Sequence, residues 1–249
     1  MNASPIDGSA WETIDFISDL HLQISEPATA KAWFDYMASP ENSADAIFIL
    51  GDWFELWVGD DDDDPFAALC TAVMRQRSKR SELFIMHGNR DFLMGTDLTE
   101  RCGATLLADP AQLNFNGTSY LLTHGDALCT SDTSYMRFRE LVRAPEWQVE
   151  FLAKPLDERK NIARQIRTQS QAQQTQANSY ADVNEALALE WLNTHGCDVM
   201  IHGHTHKPAS HKLGSGERHV LSDWDAKAAP LRLEVLRLTA EGFSRLHLV

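Results

Sequence analysis

Cysteine is scarce and badly spaced for a scaffold. The 249-residue chain holds four, Cys70, Cys102, Cys129 and Cys197, with no C-x-x-C pair. That argues against a zinc knuckle or disulfide framework and fits reduced thiols in a cytosolic protein. Basic charge is short as well: 22 Lys and Arg face 36 Asp and Glu, a formal net charge of −14. So acidic a chain is not a general nucleic-acid binder. No G-x-G-x-x-G occurs, which excludes the usual dinucleotide-binding turn. No apolar run reaches the length of roughly 20 residues that spans a bilayer. Residues 1–13 lack the apolar core of a signal peptide. Peripheral membrane contact stays open. With 43% hydrophobic and 23% charged residues, the composition is that of a soluble globular protein. The length allows a full core as one large domain, or as one domain with an insertion.

Histidine, by contrast, is clustered. Three fall in Ile201-His202-Gly203-His204-Thr205-His206-Lys207-Pro208, directly after the apolar run Val199-Met200-Ile201. Imidazole is neutral at physiological pH and is the commonest transition-metal side-chain ligand. In an extended turn, residues two apart point the same way, so His204 and His206 are expected to face one site together.

Four upstream blocks repeat this grammar of a short apolar strand followed at once by Asp, Asn or His beside glycine. Ile14–Ile17 delivers Asp19 and His21, and Ala46–Leu50 ends in Gly51-Asp52. Leu83–Met86 runs into His87-Gly88-Asn89-Arg90-Asp91, and Tyr120–Leu122 leads to His124-Gly125-Asp126. In layered α/β proteins, ligand sites collect at the carboxyl ends of strands. Five strand ends can therefore converge on one centre.

Helices are expected between these strands. Thr29 is the expected N-cap of a helix burying Trp33 and Met37. Asp64-Pro65 opens another, with Phe66, Leu69, Cys70 and Val73 at helical spacing. After His206, the segments 217–224, 231–238 and 244–249 read as an antiparallel meander closing a second sheet. Residues 131–196 carry no strand signal and read as amphipathic helices. Pro145 and Pro155 mark boundaries there, and Asp182 and Gly196 bracket a last helix with Val183, Leu187 and Trp191. Between Ser131 and Tyr180, eight Lys and Arg outnumber six Asp and Glu, a local excess of +2 in an acidic chain. The fold class is thus α/β of α+β type, a two-layered β-sandwich flanked by helices. It is expected to form one domain over 1–249, with a helical cap inserted at about 131–196.

In order, the blocks are D-L-H (19–21), G-D (51–52), G-N-R-D (88–91), H-G-D (124–126) and H-G-H-T-H (202–206). They resemble the signature of the calcineurin-like metallophosphoesterases. The resemblance implies two divalent metals, one held by Asp19, His21, Asp52 and His206. The second falls to Asp52, Asn89, His124 and His204, with Asp52 bridging. A mixed oxygen and nitrogen donor set suits manganese, iron or zinc, and manganese is the expectation. Asp91, Asp126 and His202 are expected to orient ligands or form turns. Asp52, Asn89, Arg90 and His124 are the expected catalytic residues.

Within that family, three longer stretches resemble the UDP-2,3-diacylglucosamine diphosphatases of lipid A biosynthesis. They are residues 50–61, 87–93 and 124–130, supported by Arg167, Ser170, Asp182, Val183 and Asn184. The implied reaction releases UMP and 2,3-diacylglucosamine 1-phosphate. The enzyme would sit peripherally on the inner face of the inner membrane, with no nucleic-acid partner. Implied substrate contacts are Asn89, Arg90, Asp132, Ser170, Gln174 and His204. Arg90 stands where many relatives place a histidine, and its alternative role is a salt bridge to Asp91 or Asp132. The pattern departs at the cap, where the family's Asn and Lys become Gln174 and Gln176 or Ala177. It departs too in the acidic run Asp61–Asp64 and in Ser222-Asp223-Trp224-Asp225. The alternatives are a metallophosphoesterase for nucleotides, dinucleoside polyphosphates or phosphoproteins, or a metal-free scaffold.

Overall fold

A computed structural model describes residues 4–176 and 182–248, and for 169–176 the backbone alone. After the short β1 (Ile6–Asp7), strands and helices alternate: β2 (Ile14–Ile17), α1 (Pro27–Ala38), β3 (Ala46–Leu50), α2 (Pro65–Arg77), β4 (Glu82–Met86), α3 (Thr96–Cys102) and β5 (Thr105–Leu107). β6 (Ala111–Phe115) and β7 (Thr118–Thr123) pair as a hairpin across Asn116-Gly117. Both turn residues have positive φ, as an Asn-Gly hairpin turn requires. Four helices follow, α4 (Thr133–Arg143), α5 (Pro145–Leu152), α6 (Leu156–Gln176) and α7 (Glu185–His195). The chain ends in β8 (Val199–His202), β9 (Ala209–Leu213), β10 (Gly216–Val220), β11 (Glu234–Thr239) and β12 (Gly242–His247).

These strands make two six-stranded sheets, ordered β12-β11-β2-β3-β4-β5 and β1-β6-β7-β8-β10-β9. In the first, β2 to β5 are parallel, and the inner β3 and β4 are buried on both faces, so Ala46–Leu50 and Leu83–Met86 read as unbroken apolar runs. Alternation then assigns each residue to a layer. Phe16, Phe48, Leu50 and Phe84 point between the sheets, where they meet Leu113, Leu122 and Ile201 of the second sheet. The Phe48 and Phe84 rings stack at 4.5 Å. Ile17, Ile47, Ile49 and Ile85 point the other way, onto Trp33, Met37, Cys70 and Met74 of α1 and α2. Each such fully buried side chain contributes about 1.5–3 kcal/mol.

Several expectations give way to tertiary packing. Helix α1 starts two residues before Thr29, with Glu26 at its cap position and Pro27 in its first turn. Thr29 is instead buried inside the helix and accepts the Ala226 N–H. Leu69 is half exposed. The last strands do not form one meander: β10 pairs with β8 in one sheet, whereas β11 and β12 extend the other beside β2. The final helix is capped by Asn184 rather than Asp182, its Oδ1 accepting the Leu187 N–H. Gly196 ends it in the left-handed conformation. Counted on sequence with the insertion, α7 packs through Ala188 and Leu192 on Leu121 and Met200 of the second sheet.

Helix α5 buries Phe151 in the core, and α6 is tied to it by charge as well. Arg159 of α6 is 2% exposed and donates to Val58 O at 2.6 Å and Asp61 Oδ1 at 2.8 Å. Lys160 pairs with Asp62 at 2.7 Å. Asp60 caps α3 through Leu98 N at 2.8 Å, and Asp64 caps α2 through Phe66 N at 2.7 Å. The acidic run is therefore a structural hub. Among the described residues, no helix is long and apolar enough to cross a membrane.

Candidate metal centre

Every block lands just past the end of its strand. Asp19 and His21 follow β2, Asp52 follows β3, Asn89 follows β4, His124 follows β7, and His204 and His206 follow β8. The parallel register of β2, β3 and β4 brings the first three ends level. Backbone bonds then lock the loops together, with Asp19 N donating to Gly51 O and His21 N to Asp52 O. Gly203 N donates to His124 O, joining the loops after the neighbouring strands β7 and β8 of the second sheet.

The backbone is strained here. Asp19, His21, Asp52, His204 and His206 all have φ between 47° and 65°, a conformation that costs a non-glycine residue about 1–2 kcal/mol. Among the described residues, Asn116 in the hairpin is the other non-glycine so placed. Strain gathered at one spot is held by the surrounding fold and marks a working site. It also corrects the extended-turn expectation. His204 and His206 do not face one point: His204 Nδ1 lies 2.8 Å from Asn89 Oδ1, and His206 Nε2 lies 3.3 Å from Asp19 Oδ1.

Two donor clusters result. Asp19, His21 and His206 offer atoms all within 4.8 Å of one another, and so do Asp19, Asp52 and His124. Asp52 Oδ2 stands between the two sides, 3.7 Å from His21 Nε2 and 3.9 Å from His124 Nε2. Its other oxygen accepts the Arg90 N–H at 2.8 Å. Asp19 is arranged alike, with Oδ2 accepting from His204 N at 2.9 Å and from the Ser18 hydroxyl. Each carboxylate thus keeps one oxygen for the protein and turns one inward. Asn89 Oδ1 reaches His124 Nε2 at 3.1 Å, joining that side. Two glycines make the fit possible. At Gly51, φ is +91°, and at Gly88 an added Cβ would lie 2.1 Å from Asp52 Oδ1.

The electrostatics fit cations. Asp19 Oδ1 and His21 Nε2 are buried without a hydrogen-bond partner, a costly arrangement unless a ligand completes it. Burial disfavours charge on His21 and His124. The Glu55 contact and Asp52 charge outweigh it at His21, as the Asp52 and Asp19 charges do at His124, raising both to about 9. Protons there stand where divalent cations would. His204 goes the other way: burial, then the His124 charge, lower it to about 4, leaving a neutral ring able to coordinate. Asp19 is held well below the carboxylate range; burial opposes this, but His206, His124 and His21 prevail.

The supporting residues join turns and neighbouring segments. Asp91 accepts from Gly88 N, Trp53 N and Phe54 N. Asp126 Oδ2 accepts from Tyr135 Oη at 2.5 Å and from Arg139 Nε at 2.8 Å. His202 Nδ1 lies 2.8 Å from Gly203 O. Arg90 lies 4.0 Å from Glu55 and is paired with neither Asp91 nor Asp132. Asp132 is exposed and caps α4 through Tyr135 N. Ser170, Gln174 and Gln176 lie on α6 with side chains outside the described set, and Ala177 is outside the described residues. Residue reasoning left three neighbours unassigned: Glu55 beside His21, Asp223 at 3.7 Å from His206 Nδ1, and Tyr135 over the His204 ring. Asp223 alone carried a signal, standing just past β10.

The calcineurin-like phosphoesterase family model matches residues 12–208. A Chromobacterium violaceum protein named UDP-2,3-diacylglucosamine hydrolase is 47% identical over 213 residues, 85% of this chain and 90% of that protein. A Cellvibrio japonicus protein of the same name is 45% identical over 231 residues, 88% of this chain and 96% of its own. Among solved structures, an archaeal phosphodiesterase superposes with a TM-score of 0.50 at 11% identity, covering 94% of this chain and 98% of that one. The match over 197 residues, with the strand-end donors all inside it, settles the family: the chain belongs to the calcineurin-like phosphoesterases.

Proposed function

We propose that this metal-dependent hydrolase cleaves the pyrophosphate bond of UDP-2,3-diacylglucosamine, giving UMP and 2,3-diacylglucosamine 1-phosphate. The observation that carries the substrate is the cap standing over the donor clusters. Leu141, Val149 and Leu152 are exposed apolar side chains on α4 and α5. Trp147 stacks on Phe151 at 4.8 Å, and Arg143 lies over Phe92 at 5.3 Å while donating to Gly88 O at 2.9 Å. Exposed apolar side chains on helices that also carry Arg143 suit an acylated phosphosugar, since each buried methylene contributes about 0.8 kcal/mol. The relatives' name supports the same substrate.

One metal would be held by Asp19, His21, Asp52 and His206, the other by Asp52, Asn89, His124 and His204. The nitrogen and oxygen donors suit manganese. When bound, a pair of such ions lowers the pKa of water and neutralises charge on a phosphoryl group. The protein residues do the rest. Asn89 and His204 orient the phosphoryl oxygens, and Arg90 offers its planar fork to the diphosphate. A sugar 1-phosphate leaves readily, so a fixed cation suffices where other enzymes need an acid. We place the enzyme peripherally on the inner membrane, where the exposed cap side chains meet the lipid.

The test compares UDP-2,3-diacylglucosamine with its deacylated analogue. A large fall in kcat/KM for the analogue is expected. Equal efficiency on both would remove the lipid role and point to a nucleotide hydrolase.

A further inference from the structure

Glu55 belongs to none of the donor clusters, yet it is 7% exposed in the loop after β3, three residues past Asp52. A buried carboxylate needs cationic or hydrogen-bonding partners, and its two oxygens are divided between two parts of the fold. Oε2 lies 2.9 Å from His21 Nδ1. Oε1 lies 2.7 Å from Arg167 Nη2 on α6, with Arg90 Nη1 further off at 4.0 Å. On the opposite edge of the His21 ring, Nε2 faces Asp52 at 3.7 Å. A proton kept on Nδ1 against Glu55 leaves Nε2 as the coordinating nitrogen, the arrangement by which a carboxylate fixes a ligand's tautomer and tilt.

Arg167 is eight residues beyond Arg159 on the same helix, about 12 Å along its axis. Arg159 and Lys160 grip Asp61 and Asp62 of the loop that carries Asp52 and Glu55. One helix therefore clamps one loop at two points, and the second point touches a candidate metal ligand through a single carboxylate.

We propose that Glu55 is a positioning residue through which the docked cap sets the His21 ring, so that cap placement and metal affinity on that side of the centre are coupled. The proposal rests on the two-metal reading above. Its structural competitor is a Glu55 that only neutralises Arg167 and Arg90.

The experiment uses the full chain, stripped of metal, as wild type, Glu55→Ala, Glu55→Gln and Arg167→Ala. Mn²⁺ is titrated calorimetrically, and backbone hydrogen exchange is followed over residues 156–168. Glu55→Ala should weaken one Mn²⁺ site by about 10–100-fold, the usual cost of losing a ligand's carboxylate partner, and leave the other site unchanged. Glu55→Gln keeps an oxygen acceptor for Nδ1–H and should recover most of that affinity, though not the ion pair to the helix. Arg167→Ala should speed exchange over 156–168 and weaken the same site by a smaller factor. Unchanged Mn²⁺ affinity in Glu55→Ala, or a Glu55→Gln as weak as Glu55→Ala, would overturn the positioning role. If Glu55→Ala fails to fold, Arg167→Ala decides: faster exchange with unaltered Mn²⁺ affinity would overturn the coupling. A wild type that binds no Mn²⁺ would instead defeat the two-metal reading itself.

Discussion

Arg90→Ala separates a substrate contact from a structural ion pair. The Arg90 side chain is 18% exposed, and its nearest carboxylate oxygen is 4.0 Å away on Glu55. Its Nε is buried with no hydrogen-bond partner. Glu55 does not depend on it, having His21 and Arg167 at 2.9 and 2.7 Å. The Arg90 N–H bond to Asp52 is backbone and survives the substitution. A loose, part-exposed pair of this kind is worth about 1 kcal/mol or less. In a chain of this size that shifts Tm by about 2–4 °C. A charge-assisted contact to a diphosphate, by contrast, is worth about 1.5–3 kcal/mol, or about 10- to 150-fold in kcat/KM. The kinetic effect should therefore dominate. Steady-state assays on UDP-2,3-diacylglucosamine and a thermal melt of the same sample measure both. Arg90→Lys, which keeps the charge and loses the fork, should fall between. An unchanged kcat/KM beside a clear drop in Tm would refute the reasoning and return Arg90 to a structural role.

Gly88→Ala should cost about 1–3 kcal/mol by overpacking, because its Cβ would press on Asp52 Oδ1. Bound metal, measured by elemental analysis, should fall below two per chain, and full occupancy would contradict the close approach. Arg159→Ala should lower stability to urea by about 1.5–3 kcal/mol, as the buried guanidinium loses its charged hydrogen bonds to Val58 O and to the exposed Asp61; unaltered stability would show that α6 is held otherwise. The same variant bears on pH. Arg159 holds the Asp61 carboxyl below its ordinary range, a hydrogen bond outweighing slight burial. That contribution is present above the unfolded-state pKa and is lost as pH falls through the lowered value. Arg159→Ala should therefore show a shallower acid loss of stability than wild type, and an identical profile would contradict the pairing.

The donor residues were legible in the sequence because each follows a short, largely apolar strand whose last residues are buried. Asp52 after Ala46–Leu50 is the clearest case. How the donors divide between two sides came from the family resemblance and not from spacing, because the left-handed φ of His204 and His206 breaks the simple i, i+2 rule. Short elements were missed for want of period. The seven-residue α3 shows barely two turns, and β5 has three residues. Strands β10 to β12 were read as alternating, yet β10 and β11 each carry three consecutive buried residues, and a strand pattern does not say which sheet receives it. Thr29 looked like a cap by residue type, while Pro27 marked the actual first turn. Glu55 gave no local sign at all, since its partners His21 and Arg167 stand 34 and 112 positions away and meet it only in the folded chain.

The central claim is a metal-dependent cleavage of the UDP-2,3-diacylglucosamine pyrophosphate by the donors that Asp52 joins. Its most direct measurement follows UMP release from that lipid with Mn²⁺, with EDTA, and with Mn²⁺ restored, in wild type and Asp52→Ala. The account predicts release with Mn²⁺, its loss in EDTA, recovery on adding Mn²⁺, and none from a folded Asp52→Ala. UMP release that persists in EDTA, or in Asp52→Ala with full metal content, would contradict it.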